Sequence, residues 1–158
     1  MVVAALGLAL AYQRPIAVPL NIGREEGVDN DLPFLNRFNA PEQRGDGLGK
    51  YRWTTLDSWI EVSDAPDGVY LLTLRQINGG SGELEIRGRQ FPATASDRVL
   101  HVLAPAEGNL LSVPIRTAQT FAADDPRELG VALQGGALQL LDAPGALRAP
   151  PWRPVLAW

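Results

Sequence analysis

Two clusters in this sequence carry residue types suited to recognising a polyhydroxylated ligand. The first is Tyr51-Arg52-Trp53-Thr54. On a strand, alternation places Tyr51 and Trp53 on one face and Arg52 and Thr54 on the other. An aromatic face with a planar guanidinium nearby can stack on a sugar ring and donate to its hydroxyls. The competing reading makes Trp53 a core residue and Arg52 a structural ion-pair partner. The second cluster is Asp124-Asp125-Pro126-Arg127-Glu128-Leu129-Gly130. Here Pro126 fixes a turn, Arg127 can bridge carboxylates, and Gly130 permits close backbone approach. This segment either locks a loop into the last strand or sets Asp125 and Arg127 at the rim of the fold.

A third set is acidic. Asp29-Asn30-Asp31, followed by Glu42 and Asp46, could supply oxygen ligands to a hard cation such as a structural calcium ion, with Asp29 and Asp31 as the metal candidates. Pro33 and Phe34 stand where an EF-hand loop needs a ligand and a glycine, and solvated loop carboxylates are the ordinary reading. No other cofactor is implied.

The familiar catalytic arrangements fail inspection. There are no cysteines and one histidine, so thiolate chemistry is excluded and His-based triads and metal sites are nearly so. His101 lies in the apolar run VLHVLA, which suits a structural imidazole better than a general base. Ser81 lies in GGSGE, which does not match the nucleophile elbow. The glycines of Gly45-Asp46-Gly47-Leu48-Gly49 lack the strand–turn–helix context of a dinucleotide site. The 18 acidic residues offer many carboxylate pairs, but no spacing singles one out for glycoside hydrolysis. The domain is therefore expected to be non-catalytic. With 14 Lys+Arg against 18 Asp+Glu, the net charge of −4 argues against a nucleic-acid surface.

The elements that must position these residues are strands. A chain of 158 residues fits one domain with a real core, and 16 glycines with 13 prolines make it turn-rich. Apolar side chains recur with period two far more often than 3.6. Ile16, Val18, Leu20 and Ile22 alternate, and Pro19 marks an edge strand. Tyr51–Thr55 and Ser58–Val62 predict two short strands separated by Leu56-Asp57. Val69–Gln76 should bury Tyr70, Leu72 and Leu74. Glu83–Gln90 should turn Leu84 and Ile86 inward, joined to the preceding strand through a glycine-rich hairpin at residues 78–82. Arg98–Ala104 is apolar on both faces, as in a central strand. Leu110–Thr117 should bury Leu111, Val113 and Ile115, and Pro114 suggests an edge or bulge. Leu129–Leu133 and Ala137–Leu141 pair across Gln134-Gly135-Gly136. About nine short strands with regular turns predict an all-β, two-sheet antiparallel sandwich. Gly23–Lys50 interrupts the rhythm as a long loop, pinned by Leu32, Phe34, Leu35 and Phe38.

Both ends are apolar. Met1–Tyr12 is uncharged but too short to cross a bilayer alone, and Ala149–Trp158 is a proline-rich exit with Trp152 and Trp158. These predict a membrane-proximal segment over residues 1–14, a sandwich over 15–145 and an exit towards a membrane over 146–158. Arg14 and Arg153 are too few to fix the side.

Taken together, IAVPLNIG, YRWTT and TFAADDPRELGVAL resemble an extracytoplasmic β-sandwich domain of bacterial multi-pass membrane proteins of the glycosyltransferase type, related to galactose-binding and jelly-roll modules. Phe38 and Glu42 match an F-x-x-x-E element. Tyr51, Arg52, Trp53 and Thr54 match a Y-R-W-T strand. Thr120, Phe121, Asp125, Pro126, Arg127, Leu129, Gly130 and Val131 match a T-F-x-x-x-D-P-R-x-L-G-V element. The likeness covers residues 15–142, without the multi-pass region or the catalytic aspartates of such transferases. It implies an accessory domain on the extracytoplasmic face of a cell membrane. Such a domain would bind or position a glycan, a lipid-linked sugar or a partner subunit. The ligand residues expected are Glu42, Tyr51, Arg52, Trp53, Asp125 and Arg127. A free-standing carbohydrate-binding module and a purely structural interaction domain are the alternatives.

Overall fold

The computed structural model describes residues 17–27, 30–77, 83–92, 94, 96–118 and 125–141. Among them there are ten strands and no helix: β1 (Ala17–Leu20), β2 (Leu35–Phe38), β3 (Glu42–Gln43), β4 (Lys50–Ser63), β5 (Gly68–Gln76), β6 (Leu84–Ile86), β7 (Arg89–Phe91), β8 (Arg98–Glu107), β9 (Leu110–Thr117) and β10 (Ala132–Leu141). The expected all-β class is what the chain adopts.

Alternation on the long strands fills one apolar interior. Leu72 and Leu74 of β5, Leu100 and Val102 of β8, Leu111, Val113 and Ile115 of β9, and Leu138 and Leu140 of β10 are all buried in it. Burying side chains of this size supplies about 1.5–3 kcal/mol each, which is what drives the sheet to curl. Every pairing is antiparallel, and the ladder runs β4–β10–β5–β8–β9 and back to β4. The hydrogen bonds thus close a five-stranded barrel, with β1, β2, β3, β6 and β7 added around it. Two separate sheets were expected.

The cause is β4. Residues Tyr51–Thr55 and Ser58–Val62 belong to one 14-residue strand. Its first half pairs with β10, Arg52 opposite Leu133, and its second half with β9, Asp57 opposite Arg116. At the change of partner the Thr55 amide donates to Ser58 Oγ at 2.9 Å, and Thr55 Oγ1 donates to the Asp57 carbonyl at 2.8 Å. The Leu56-Asp57 break in the pattern is a bend within one strand, which pairs with β10 before it and with β9 after it.

Other departures have similarly local causes. Glu83–Gln90 is two strands, β6 and β7, turned by Arg87-Gly88 with φ of 52° and 79°. That is the φ > 0 pair a two-residue hairpin requires. β6 pairs with β7 and β9, so no β5–β6 hairpin forms. Gln134-Gly135-Gly136 lies inside β10, which bulges between Leu133 and Gly135. A Cβ on Gly136 would strike the Thr73 carbonyl, so the glycine permits the β10–β5 contact instead of making a turn. β8 is central as expected, but Val99, His101 and Leu103 on its outer face are exposed. His101 is accordingly a surface residue, with Nδ1 3.2 Å from Thr73 Oγ1. The long 23–50 loop contains β2 and β3. Phe34, Leu35 and Phe38 pack on the core, whereas Leu32 is exposed.

β1 pairs with β10 alone, so Pro19 sits on an edge strand as expected, although Val18 is exposed. Pro114 sits where β9 passes from β8 to β6, and its carbonyl accepts from the Arg87 amide at 3.2 Å. Among the described residues no helix is long and apolar enough to cross a membrane. Residues 1–12 and 149–158, on which the membrane expectation rests, lie outside the described residues.

Candidate functional site

Alternation at the start of β4 separates the expected ligand residues into two networks. On one face, Arg52 is 3% exposed and Asp31 is buried beside it. Arg52 Nε and Nη2 donate to the two Asp31 oxygens at 2.7 and 3.0 Å. Nη2 also donates to Glu25 at 3.0 Å and Nη1 to the Asn39 carbonyl at 3.0 Å. Burial alone would lower the Arg52 pKa, but these carboxylates hold it above its ordinary value. Asp31 Oδ2 further accepts from the Gly23 amide at 2.5 Å. The structure thus gives Asp31 a guanidinium and a backbone amide as partners, and Arg52 no exposed surface for a sugar. Asp29 lies outside the described residues. Among the described residues no group of three or more carboxylates or histidines is placed to hold a metal ion.

On the other face, Trp53 is 7% exposed, buried with Ile77, Leu129 and Ala132. It forms no open platform. Tyr51 meets it edge-on, ring centroids 6.0 Å apart. Glu42 of β3 gathers this face: Oε2 accepts from Tyr51 OH at 2.9 Å and from Trp53 Nε1 at 3.4 Å, and Oε1 accepts from Arg127 Nη1 at 2.7 Å. Arg127 also closes on Asp125, with Nε at 2.9 Å from Oδ1 and Nη2 at 2.7 Å from Oδ2.

These contacts set the charges. Hydrogen bonds from the Arg127 side chain and amide lower the Asp125 pKa to about 2. Burial pushes Glu42 upwards, yet the bonds from Arg127 and Tyr51 prevail and it lies below its ordinary value. Burial and the adjoining Glu42 carboxylate raise Tyr51. The Arg127 side chain stays 42% exposed, and its one positive charge faces two carboxylates, so the rim keeps a net negative charge. Five of the six expected ligand residues therefore meet, and Arg52 stands apart.

A concave feature lies on the Arg52 side. A cleft of about 530 Å³ runs between Asn21–Glu26, Gly49-Lys50 and Gln134. Its floor depends on the buried ion pair, because Asp31 holds the Gly23 amide and Arg52 holds Glu25. Gly23 has a φ of 98°, and a Cβ there would lie 2.9 Å from the Lys50 backbone, so only glycine lets the two walls come this close. Gln134 Nε2 donates to the Leu48 carbonyl and ties β10 to the opposite wall. Asn21, Lys50 and Gln134 carried no signal in the sequence: each is a single polar residue without a motif around it, and only the closed barrel brings them together.

No protein-family model matches the sequence, and no curated protein resembles it significantly. Solved structures do share its fold. The family 35 carbohydrate-binding module of Abf62 from Cellvibrio japonicus aligns over 85% of this chain and 97% of its own, with a TM-score of 0.51 and 16% identity. The ANX2 ectodomain from Arabidopsis thaliana aligns over 80% of this chain and 42% of its own, with a TM-score of 0.56 and 14% identity. A structure of the plant peptide RALF23 in complex with FER and LLG2 gives a TM-score of 0.53 at 13% identity, over 85% of this chain and 43% of that one. The chain spans about two fifths of the plant ectodomains it matches. The fold is thus that of carbohydrate-binding-module β-sandwiches and of these ectodomains, in line with the galactose-binding-like half of the resemblance. The glycosyltransferase parent finds no support in these structures.

Proposed function

We propose that this domain binds carbohydrate without acting on it chemically, and that the sugar sits in the cleft between Asn21–Glu26, Gly49-Lys50 and Gln134. The observation that carries this reading is the cleft itself. Its volume of about 530 Å³ falls in the range of small-molecule sites, and its walls present donors (Arg24, Lys50), acceptors (Glu25, Glu26) and amides (Asn21, Gln134). A polyol needs this mixture, since each hydroxyl both donates and accepts. Arg52 and Asp31 serve as positioning residues that fix the wall through Gly23 and Glu25. The rim of Glu42, Tyr51, Asp125 and Arg127, with Trp53 beneath it, offers a second polar contact for a longer glycan.

In this reading the domain is an outward-facing accessory unit beside a membrane, holding a glycan or a lipid-linked sugar for a larger protein. That setting rests on the apolar stretches at residues 1–12 and 149–158. A second reading, a protein or peptide partner, is favoured by the structure of the plant peptide RALF23 in complex with FER and LLG2, which shares this fold.

The test is a glycan array followed by calorimetry on the best hit. Carbohydrate binding predicts a saturable hit that Lys50→Ala and Asn21→Ala each weaken by roughly 2–10-fold, the worth of one hydrogen bond. An array without hits refutes the proposal and favours the protein-partner reading.

A further inference from the structure

The barrel interior is mostly apolar, and a polar pair closes it where β5 ends and β8 begins. Gln76 and Arg98 face each other there across the ladder. Gln76 is 1% exposed, and Arg98 Nε donates to its Oε1 at 2.8 Å. This leaves two buried donors, Gln76 Nε2 and Arg98 Nη2, with no hydrogen-bond partner among the described residues. Exchanging the amide oxygen and nitrogen would set Arg98 Nε against a second donor, so Arg98 fixes the orientation. No carboxylate among the described residues pairs with Arg98, and burial draws its guanidinium below the ordinary value with nothing raising it back. Phe91 forms the adjoining wall: Arg98 Cζ lies 6.0 Å and Arg89 Cζ 5.1 Å from its ring centroid. Arg75 and Arg44 also lie at this end, and the carboxylate of Asp97 is engaged by both of them.

Buried donors without acceptors are costly, and Arg98 Nη2 adds a positive charge with no carboxylate bound to it among the described residues. Both deficits are met by one kind of group. We propose that this mouth of the barrel is an oxyanion site, in which one oxygen of a carboxylate, sulfate or phosphate group accepts from both Gln76 Nε2 and Arg98 Nη2, with Arg89 adding positive charge beside it. Barrel mouths are common seats for small ligands, and an arginine fork is suited to planar and tetrahedral oxyanions alike. The site shares no residue with the carbohydrate cleft and does not depend on that reading.

The experiment is a heteronuclear NMR titration of the whole chain with sodium acetate, sodium sulfate and sodium phosphate, each against sodium chloride at equal ionic strength. It follows the Gln76 side-chain amide and Arg98 Nε signals. A saturable shift of both signals with at least one oxyanion, absent with chloride, is the result expected. Saturation by acetate alone assigns a carboxylate ligand, and saturation by sulfate or phosphate assigns a tetrahedral one. Gln76→Glu places a carboxylate against Arg98 from within, so it should raise the melting temperature and weaken anion binding by roughly tenfold or more. Shifts that track ionic strength equally for all four salts, with a bridging water only at Gln76 Nε2, overturn the proposal. So does a Gln76→Glu variant that folds and binds the anion unchanged.

Discussion

Removing Asp31 tests the link between the buried ion pair and the cleft. Arg52 is 3% exposed, and Asp31→Ala takes away its bidentate partner at 2.7 and 3.0 Å, leaving Glu25, now 3.0 Å away, as its carboxylate contact. Breaking a buried pair from one side costs about 3–5 kcal/mol. The surviving Glu25 contact puts this case at the lower end, about 3 kcal/mol. For a chain of this length each kcal/mol lowers the melting temperature by about 2–4 °C, so the expected fall is roughly 6–12 °C. The Gly23 amide also loses its acceptor, and the cleft wall is released. Replacing both partners, Asp31→Leu with Arg52→Met, should recover most of the stability, because an apolar pair leaves no uncompensated charge. It should not recover carbohydrate affinity, because Gly23 and Glu25 stay untethered. Calorimetric melting of the single and double variants, with binding measured on the same samples, separates the two effects. A single variant costing under about 1 kcal/mol, or a double variant with full affinity, would refute the reasoning.

The remaining predictions concern the rim and the strand contacts. Asp125 has its pKa lowered to about 2 from the ordinary 3.8, so the clamp to Arg127 stabilises the fold at every pH above the unfolded value. That contribution starts to fade as the pH falls below about 4, and it is lost once the pH passes the folded value of about 2; carboxyl ¹³C titration should show this, and Arg127→Ala should return Asp125 towards 3.8. Gly136→Ala forces a Cβ against the Thr73 carbonyl on the neighbouring strand, so a loss of about 1–3 kcal/mol is expected in urea unfolding; a neutral outcome contradicts the close β10–β5 approach. Leu72→Ala, at a fully buried position, should cost about 2–5 kcal/mol in the same assay, and a value near zero would place the core elsewhere.

Much of the fold was legible because burial with period two leaves a plain mark. The limits of β9 coincide with the Leu110–Thr117 run, and Tyr70, Leu72, Leu74, Leu84 and Ile86 point inward as their alternation requires. Closure of the barrel was not legible, because it turns on β4 changing partner at Leu56-Asp57, and periodicity carries no information about which strand lies alongside. The Arg87-Gly88 turn was hidden by Glu85, Arg87 and Arg89 continuing the polar alternation through it. Gly135-Gly136 read as a turn since close strand approach and chain reversal ask for the same residue.

The same distinction explains the site. Alternation correctly placed Tyr51 and Trp53 opposite Arg52, and the Glu42–Arg127 meeting follows from two segments that the sequence had singled out separately. It gave no depth, so Trp53 and Arg52 were equally compatible with an exposed platform and with the buried roles they have. The cleft leaves no mark in the sequence because Asn21, Lys50 and Gln134 come from three distant stretches and none has a distinctive local pattern.

The central claim is that carbohydrate enters the cleft and leaves the rest of the surface untouched. Backbone amide mapping with the best array hit addresses it directly. The account predicts saturable shifts at Asn21–Glu26, Gly49, Lys50 and Gln134, with smaller changes at Tyr51 and Arg127. Shifts confined to the outer face of β5 and β8, around Val99 and Leu103, would contradict it.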